Sequence, residues 1–159
     1  MSLINYPKKL ALSFIITFVI AIYGSLLALD GMKEWYPLLN KPVDIPMWLF
    51  AIVQPLYYAI CITILYRLFA YISEQRTRRI SLGLILFMMI FAESWNYLFL
   101  GLRSVALGFW SMLLFAGVAV LLFVQLRKVD PLSAKIFAPY LVWLLVDIAW
   151  MYGLWSANP

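Results

Sequence analysis

Histidine is absent from this 159-residue sequence, cysteine occurs once, and charged residues make up only 12% of it. Without histidine the chain lacks the usual neutral-pH proton shuttle, the commonest metal ligand and the usual axial ligand of haem. No nucleophile motif or metal-ligating cluster stands in its place, so neither a required cofactor nor a metal is expected. The lone Cys61 lies in an apolar run and leaves no possibility of an internal disulfide. Soluble domains carry about a quarter charged residues, roughly twice the share found here. With 66% hydrophobic residues instead, the chain is that of an integral membrane protein. At about 20 residues per span of a hydrocarbon core roughly 30 Å thick, five helices and short connections use nearly all of it. Residues 1–159 therefore read as a single membrane domain of the all-α class, a five-transmembrane-helix bundle.

The spans are expected at Leu10 to Leu29, Met47 to Tyr71, Ile80 to Leu100, Val105 to Leu126 and Ile136 to Trp155. A signal peptide competes for the first, but its apolar part exceeds the usual length of about 7–15 residues, so a retained helix is the reading. Ser13, Thr17, Ala21 and Ser25 form a four-residue stripe of small side chains, and Ser104, Gly108 and Ala116 a broken one. Such stripes let helices approach closely, either within one chain or between the copies of a homodimer. Asp30 to Pro46 is the longest polar connection, rich in aromatics and proline, and reads as a structured cap or an interfacial segment. Pro55 interrupts the second span and is expected to bend it or free a backbone carbonyl. Glu74 to Arg79 reads as a polar turn.

The net charge of +5 does not describe a nucleic-acid surface, because the basic residues sit at span ends. With five spans, nine of the twelve basic residues fall on the amino-terminal side, leaving Lys33, Lys41 and Arg103 opposite. The positive-inside rule then places the amino terminus in the cytoplasm and the first connection outside. The expected location is a bacterial cell membrane, with the lipid bilayer itself as a partner.

Two acids stand inside apolar runs. Asp147 shares a helical face with Trp143, Trp150 and Met151, and Glu93 shares one with Asn96, beside Trp95. A charged side chain in a membrane costs a few kcal/mol on insertion scales, so both acids should face the bundle interior or a wet cavity. Either acid could be a protonated packing residue or a ligand contact. Both odd spans run outward, which puts the two acids at comparable depth, where one cavity could hold both.

In the first connection, Trp35-Tyr36, Leu39-Asn40-Lys41-Pro42, Pro46, Trp48 and Phe50 resemble the signature of the TspO/MBR family, the tryptophan-rich sensory proteins. Trp95, Phe99, Leu100 and Gly101 are similar to its third-span motif. Pro131-Leu132-Ser133-Ala134, Pro139-Tyr140-Leu141-Val142-Trp143, and the closing Trp155 and Asn158 resemble its carboxyl-terminal pattern. Departures fall at pocket positions: Val43 and Ile45 stand at Trp and Pro positions, Gln54 at a Trp position, Ala92 and Met151 at Asn positions, and Asp147 where a small residue is usual. No Lys or Arg follows Lys135, so the family's cholesterol-recognition pattern is missing.

The resemblance implies a membrane protein that binds porphyrins or related hydrophobic small molecules in a pocket under the first connection, often as a dimer. The candidate ligand-binding residues are Trp35, Trp48, Gln54, Tyr58, Glu93, Trp95, Asn96, Trp143, Asp147, Trp150 and Met151. The tryptophans offer flat apolar surface, with Gln54 and Tyr58 as polar anchors. A second reading is binding or transport of a cationic amphiphile neutralised by Glu93 and Asp147. Catalysis on a bound porphyrin, with one carboxyl as acid and the other as base, ranks last.

Overall fold

A computed structural model describes residues 5–43 and 45–158 of the chain. Five helices carry it: α1 (Asn5–Asp30), α2 (Met47–Tyr71), α3 (Gln75–Asn96), α4 (Val105–Val129) and α5 (Pro131–Ala157). All five contain stretches long and apolar enough to cross a membrane, and no strand occurs among the described residues. In hydrocarbon, backbone N–H and C=O groups must be satisfied within the chain, which helices achieve internally. Phe18, Leu114 and Leu145 stand exposed on the outside, as a lipid-facing surface requires.

The second span begins and ends where the sequence places it, but the other four helices are longer than their apolar runs. Local capping explains two of the extensions. The supposed polar turn from Glu74 is the first turns of α3: the Glu74 carboxylate accepts from the backbone N–H groups of Arg76 and Thr77. Pro131 opens α5, where its missing N–H has no intrahelical partner to lose. Ser104 caps α4 by accepting from the Leu107 N–H at 3.2 Å. Helix α2 continues through Pro55, and α5 through Pro139.

Helix neighbours close a ring in the order α1, α2, α5, α4, α3 and back to α1, with α2 also reaching α3 across it. The half away from the first connection is an apolar core of Ile64, Leu65 and Leu68 from α2, Ile85 and Met88 from α3, Leu122 from α4 and Phe137 from α5. At its edge Arg67 donates to both Asp130 oxygens, at 2.8 and 2.9 Å, tying α2 to the α4–α5 junction.

The small-residue stripes are used inside the bundle. Ser13, Thr17 and Gly24 are buried while Ser25 is exposed, because steps of four drift off a face that turns every 3.6 residues. Gly108 is buried against Phe99 and Met151, where a Cβ would lie 2.7 Å from either side chain. The buried members of both stripes thus serve packing within the bundle, while Ser25 stays on the outside.

The first half of the first connection is helical. A π-helical turn (Gly31–Trp35) follows α1 directly, and a 3₁₀ turn (Tyr36–Leu38) follows that. A second π-helical turn (Tyr97–Gly101) extends α3 on the same side. Arg103 closes the bend into α4 in the left-handed region, at φ 51°.

Candidate functional site

The half of the bundle toward the first connection holds a cavity of about 100 Å³, walled by the first halves of α2 and α4, the end of α3 and the middle of α5. Helical periodicity brings its α5 wall together: Tyr140, Trp143, Asp147 and Trp150 recur at three, four and three residues, one face of one helix. Phe50, Gln54 and Tyr57 face them from α2, and Glu93, Trp95 and Asn96 from α3.

The aromatic walls are interlocked. Phe50 meets Trp143 edge-on with ring centres 6.1 Å apart and lies 5.3 Å from Trp150. Tyr57 and Tyr140 approach to 4.7 Å across the α2–α5 boundary. From the roof, buried Tyr36 contacts Trp150 and Phe99, each at 6.3 Å. Polar contacts also fasten the roof. Asn40 and Asn158 exchange hydrogen bonds, Asn40 N–H to Oδ1 at 2.9 Å and Asn158 Nδ2 to the Asn40 carbonyl at 2.8 Å. Arg103 pairs with Glu34 at 2.8 Å on the exposed rim.

The two acids line the same cavity in different states of satisfaction. Glu93 is 2% exposed; its Oε1 accepts from the Tyr58 hydroxyl at 2.7 Å and its Oε2 from Asn96 Nδ2 at 3.4 Å. Gly24 of α1 makes room for it, since a Cβ there would fall 1.6 Å from Oε2. Asp147 is 8% exposed, with Trp143 alongside its carboxyl, yet its Oδ1 is buried without a hydrogen-bond partner among the described residues. The Tyr57 hydroxyl and Trp150 Nε1 are likewise buried and unpartnered. No Lys or Arg lines the cavity.

Seven of the eleven candidate residues meet here: Gln54, Glu93, Trp95, Asn96, Trp143, Asp147 and Trp150. The other four stand elsewhere. Trp35 belongs to the roof, edge-on to Phe99 at 5.4 Å. Trp48 is 63% exposed on the outer surface, because the first turn of α2 points it away from the ring of helices. Tyr58 reaches Glu93 from an outer groove that it lines with Leu10 and Phe14 of α1. Met151 shares the α5 face only in part and is fully buried against Gly108, outside the cavity lining. Trp95, though on the wall, spends its indole N–H on the Gly108 carbonyl at 2.9 Å, which fixes α3 to α4.

Sequence reasoning missed Phe50, Tyr57 and Tyr140 as wall residues. Tyr140 was findable, seven residues before Asp147 on the same face, and Tyr57 three after Gln54 likewise. Met112 and Phe115 of α4 also line the cavity, and their run, apolar apart from Ser111 and Gln125, carries no charged residue that would mark a face.

Comparison with known proteins agrees with this architecture. The TspO/MBR family model matches residues 13–156, a stretch that includes every residue of the cavity wall. The chain is similar to protein CrtK of Rhodobacter capsulatus, at 27% identity over 140 residues, covering 87% of this chain and 88% of that one. It is also similar to the translocator protein of Ovis aries, at 28% identity over 131 residues, covering 81% of this chain and 77% of that one. A match from the first helix to the last turn of the fifth, over a five-helix membrane bundle, makes this chain a member of the TspO/MBR family.

Proposed function

We propose that this protein is a membrane receptor or transport-like protein that binds hydrophobic aromatic ligands in the cavity beneath the first connection. Porphyrins and related rings are the class to which the family resemblance points. In this reading the amino terminus is cytoplasmic and the roof faces outward. What carries the reading is one cavity walled by Phe50, Trp143 and Trp150 and roofed by Tyr36, with polar groups at a few fixed points. That combination of apolar wall and sparse polar anchors is the usual character of a small-molecule site.

Size sets a condition. Drug-sized ligands occupy pockets of roughly 300–1,000 Å³, whereas this cavity measures about 100 Å³. It is smaller than the roughly 150 Å³ cavity that holds a single benzene, so an aromatic ring enters only as wall side chains shift, and a tetrapyrrole only with the roof displaced. Among the roof's fastenings, the Asn40–Asn158 bonds and the Arg103–Glu34 pair are exposed, and exposed pairs of that kind oppose displacement only weakly.

Titration of the full chain in lipid nanodiscs with protoporphyrin, followed by quenching of tryptophan emission, tests the reading. Trp143→Ala is expected to weaken binding by roughly 1–3 kcal/mol, as for a buried aromatic anchor. Asp147→Asn, which keeps size but removes a possible negative charge, is expected to leave an anionic porphyrin's affinity unchanged or improved. Unchanged affinity in Trp143→Ala and in Trp150→Ala, with both variants folded, would reduce the aromatic wall to packing.

A further inference from the structure

We infer that the cavity selects a compact aromatic ligand bearing a protonated amine, with Asp147 as its counter-ion. The inference rests on the cavity being a ligand site and adds the charge of what it takes. Three buried polar groups converge there without a hydrogen-bond partner among the described residues: the Asp147 Oδ1 acceptor, the Trp150 Nε1 donor and the Tyr57 hydroxyl. All three side chains are more than nine-tenths buried, at 8%, 6% and 3% exposed. Buried polar groups in proteins are nearly always hydrogen-bonded, so three exceptions on one cavity wall mark a place where another molecule completes the set.

The chemistry of the set defines that molecule. Glu93 is already engaged by Tyr58 and Asn96, so the free carboxyl oxygen belongs to Asp147 alone. The Cys61 thiol beside the Tyr57 hydroxyl is only a weak acceptor, which leaves that hydroxyl available. With two carboxyl groups and no basic side chain on its wall, the cavity offers nothing to neutralise an anion. An ammonium group donates to Asp147 Oδ1 and lies among the faces of Trp143 and Trp150, which attract cations through their ring quadrupoles. A hydrogen-bond acceptor on the same ligand meets Trp150 Nε1 or the Tyr57 hydroxyl. An ionised Asp147 deep in a membrane is expensive without such a partner, so the cation and the carboxylate are stabilised together.

Calorimetric titration of the full chain in nanodiscs, with empty nanodiscs as the blank, distinguishes this from the broader reading. Phenethylamine, phenethyl alcohol and hydrocinnamate share a ring and a short chain and differ in head group. The amine is expected to bind at least about tenfold more tightly than the alcohol, and the carboxylate least. Asp147→Asn is expected to remove that preference while leaving the alcohol within about twofold, and Asp147→Glu to restore part of it. Equal binding of amine and alcohol by the unaltered protein overturns the inference but leaves the cavity as a ligand site. So does an undiminished amine preference in folded Asp147→Asn. Failure of all three to bind overturns the inference and leaves the broader reading to the protoporphyrin titration, whereas binding undisturbed by both Trp143→Ala and Trp150→Ala overturns both. The head-group comparison in the unaltered protein decides the matter even if the Asp147 variants do not fold.

Discussion

Gly24 and Glu93 show how a single missing side chain builds a site. Glu93 can turn inward to meet Tyr58 and Asn96 because α1 presents no Cβ at position 24. Gly24→Ala is expected to destabilise the bundle by about 1–3 kcal/mol through overpacking, read as a lower thermal midpoint in micelles. Glu93→Ala vacates the space, so in the double variant the penalty for Gly24→Ala should largely vanish, whereas Glu93→Gln keeps the bulk and should retain it. Additive losses would mean that the two residues do not meet. Nothing in the sequence announced this contact. The acids of α3 and α5 were legible because charge inside an apolar run requires a reason, and their neighbours on the cavity wall, Asn96, Trp143 and Trp150, were legible from helical spacing. A glycine that matters only for what faces it from another helix leaves no local signal.

At the scale of elements, helix ends and connections were the least legible parts, because caps and tertiary contacts decide them rather than apolar content. Arg67 and Asp130 illustrate this, sixty-three positions apart and joined by a two-pronged ion pair. Burial pushes the Asp130 carboxyl up, but hydrogen bonds from Arg67 and Ser133 outweigh it and hold the group below its ordinary 3.8. A folded value below the unfolded one means that the stabilisation is complete above that ordinary value and fades as pH falls through the folded value. Arg67→Met is expected to lower stability by about 1–3 kcal/mol at neutral pH, and the difference from the unaltered protein should shrink only in that acid range. Thermal midpoints across pH check both statements; a difference independent of pH would assign the loss to packing alone. The roof is a second such element. Asn158→Ala removes its bonds to Asn40 and should ease roof opening by about 1 kcal/mol, seen as roughly fivefold faster amide exchange around Tyr36 to Lys41. Unaltered exchange there would show that the aromatic contacts of Tyr36 hold the roof by themselves.

Across the whole molecule, hydrophobic run length specified the helix count and thus the fold class, while the ring order of the helices came from contacts that no single run encodes. That order brings α2, α3 and α5 together around one cavity and turns Trp48 and Met151 away from it, although both share its aromatic or apolar character. A competing site is present: the outer groove between α1 and α2, lined by Leu10, Phe14, Tyr58 and Tyr66, is open to the surrounding lipid. An experimental structure of the full chain in lipid with a bound aromatic ligand separates the two directly. Ligand density between Phe50, Trp143 and Trp150, beneath Tyr36 and within hydrogen-bonding distance of Asp147, is the predicted result. Density confined to the outer groove, with the inner cavity unchanged, would contradict it.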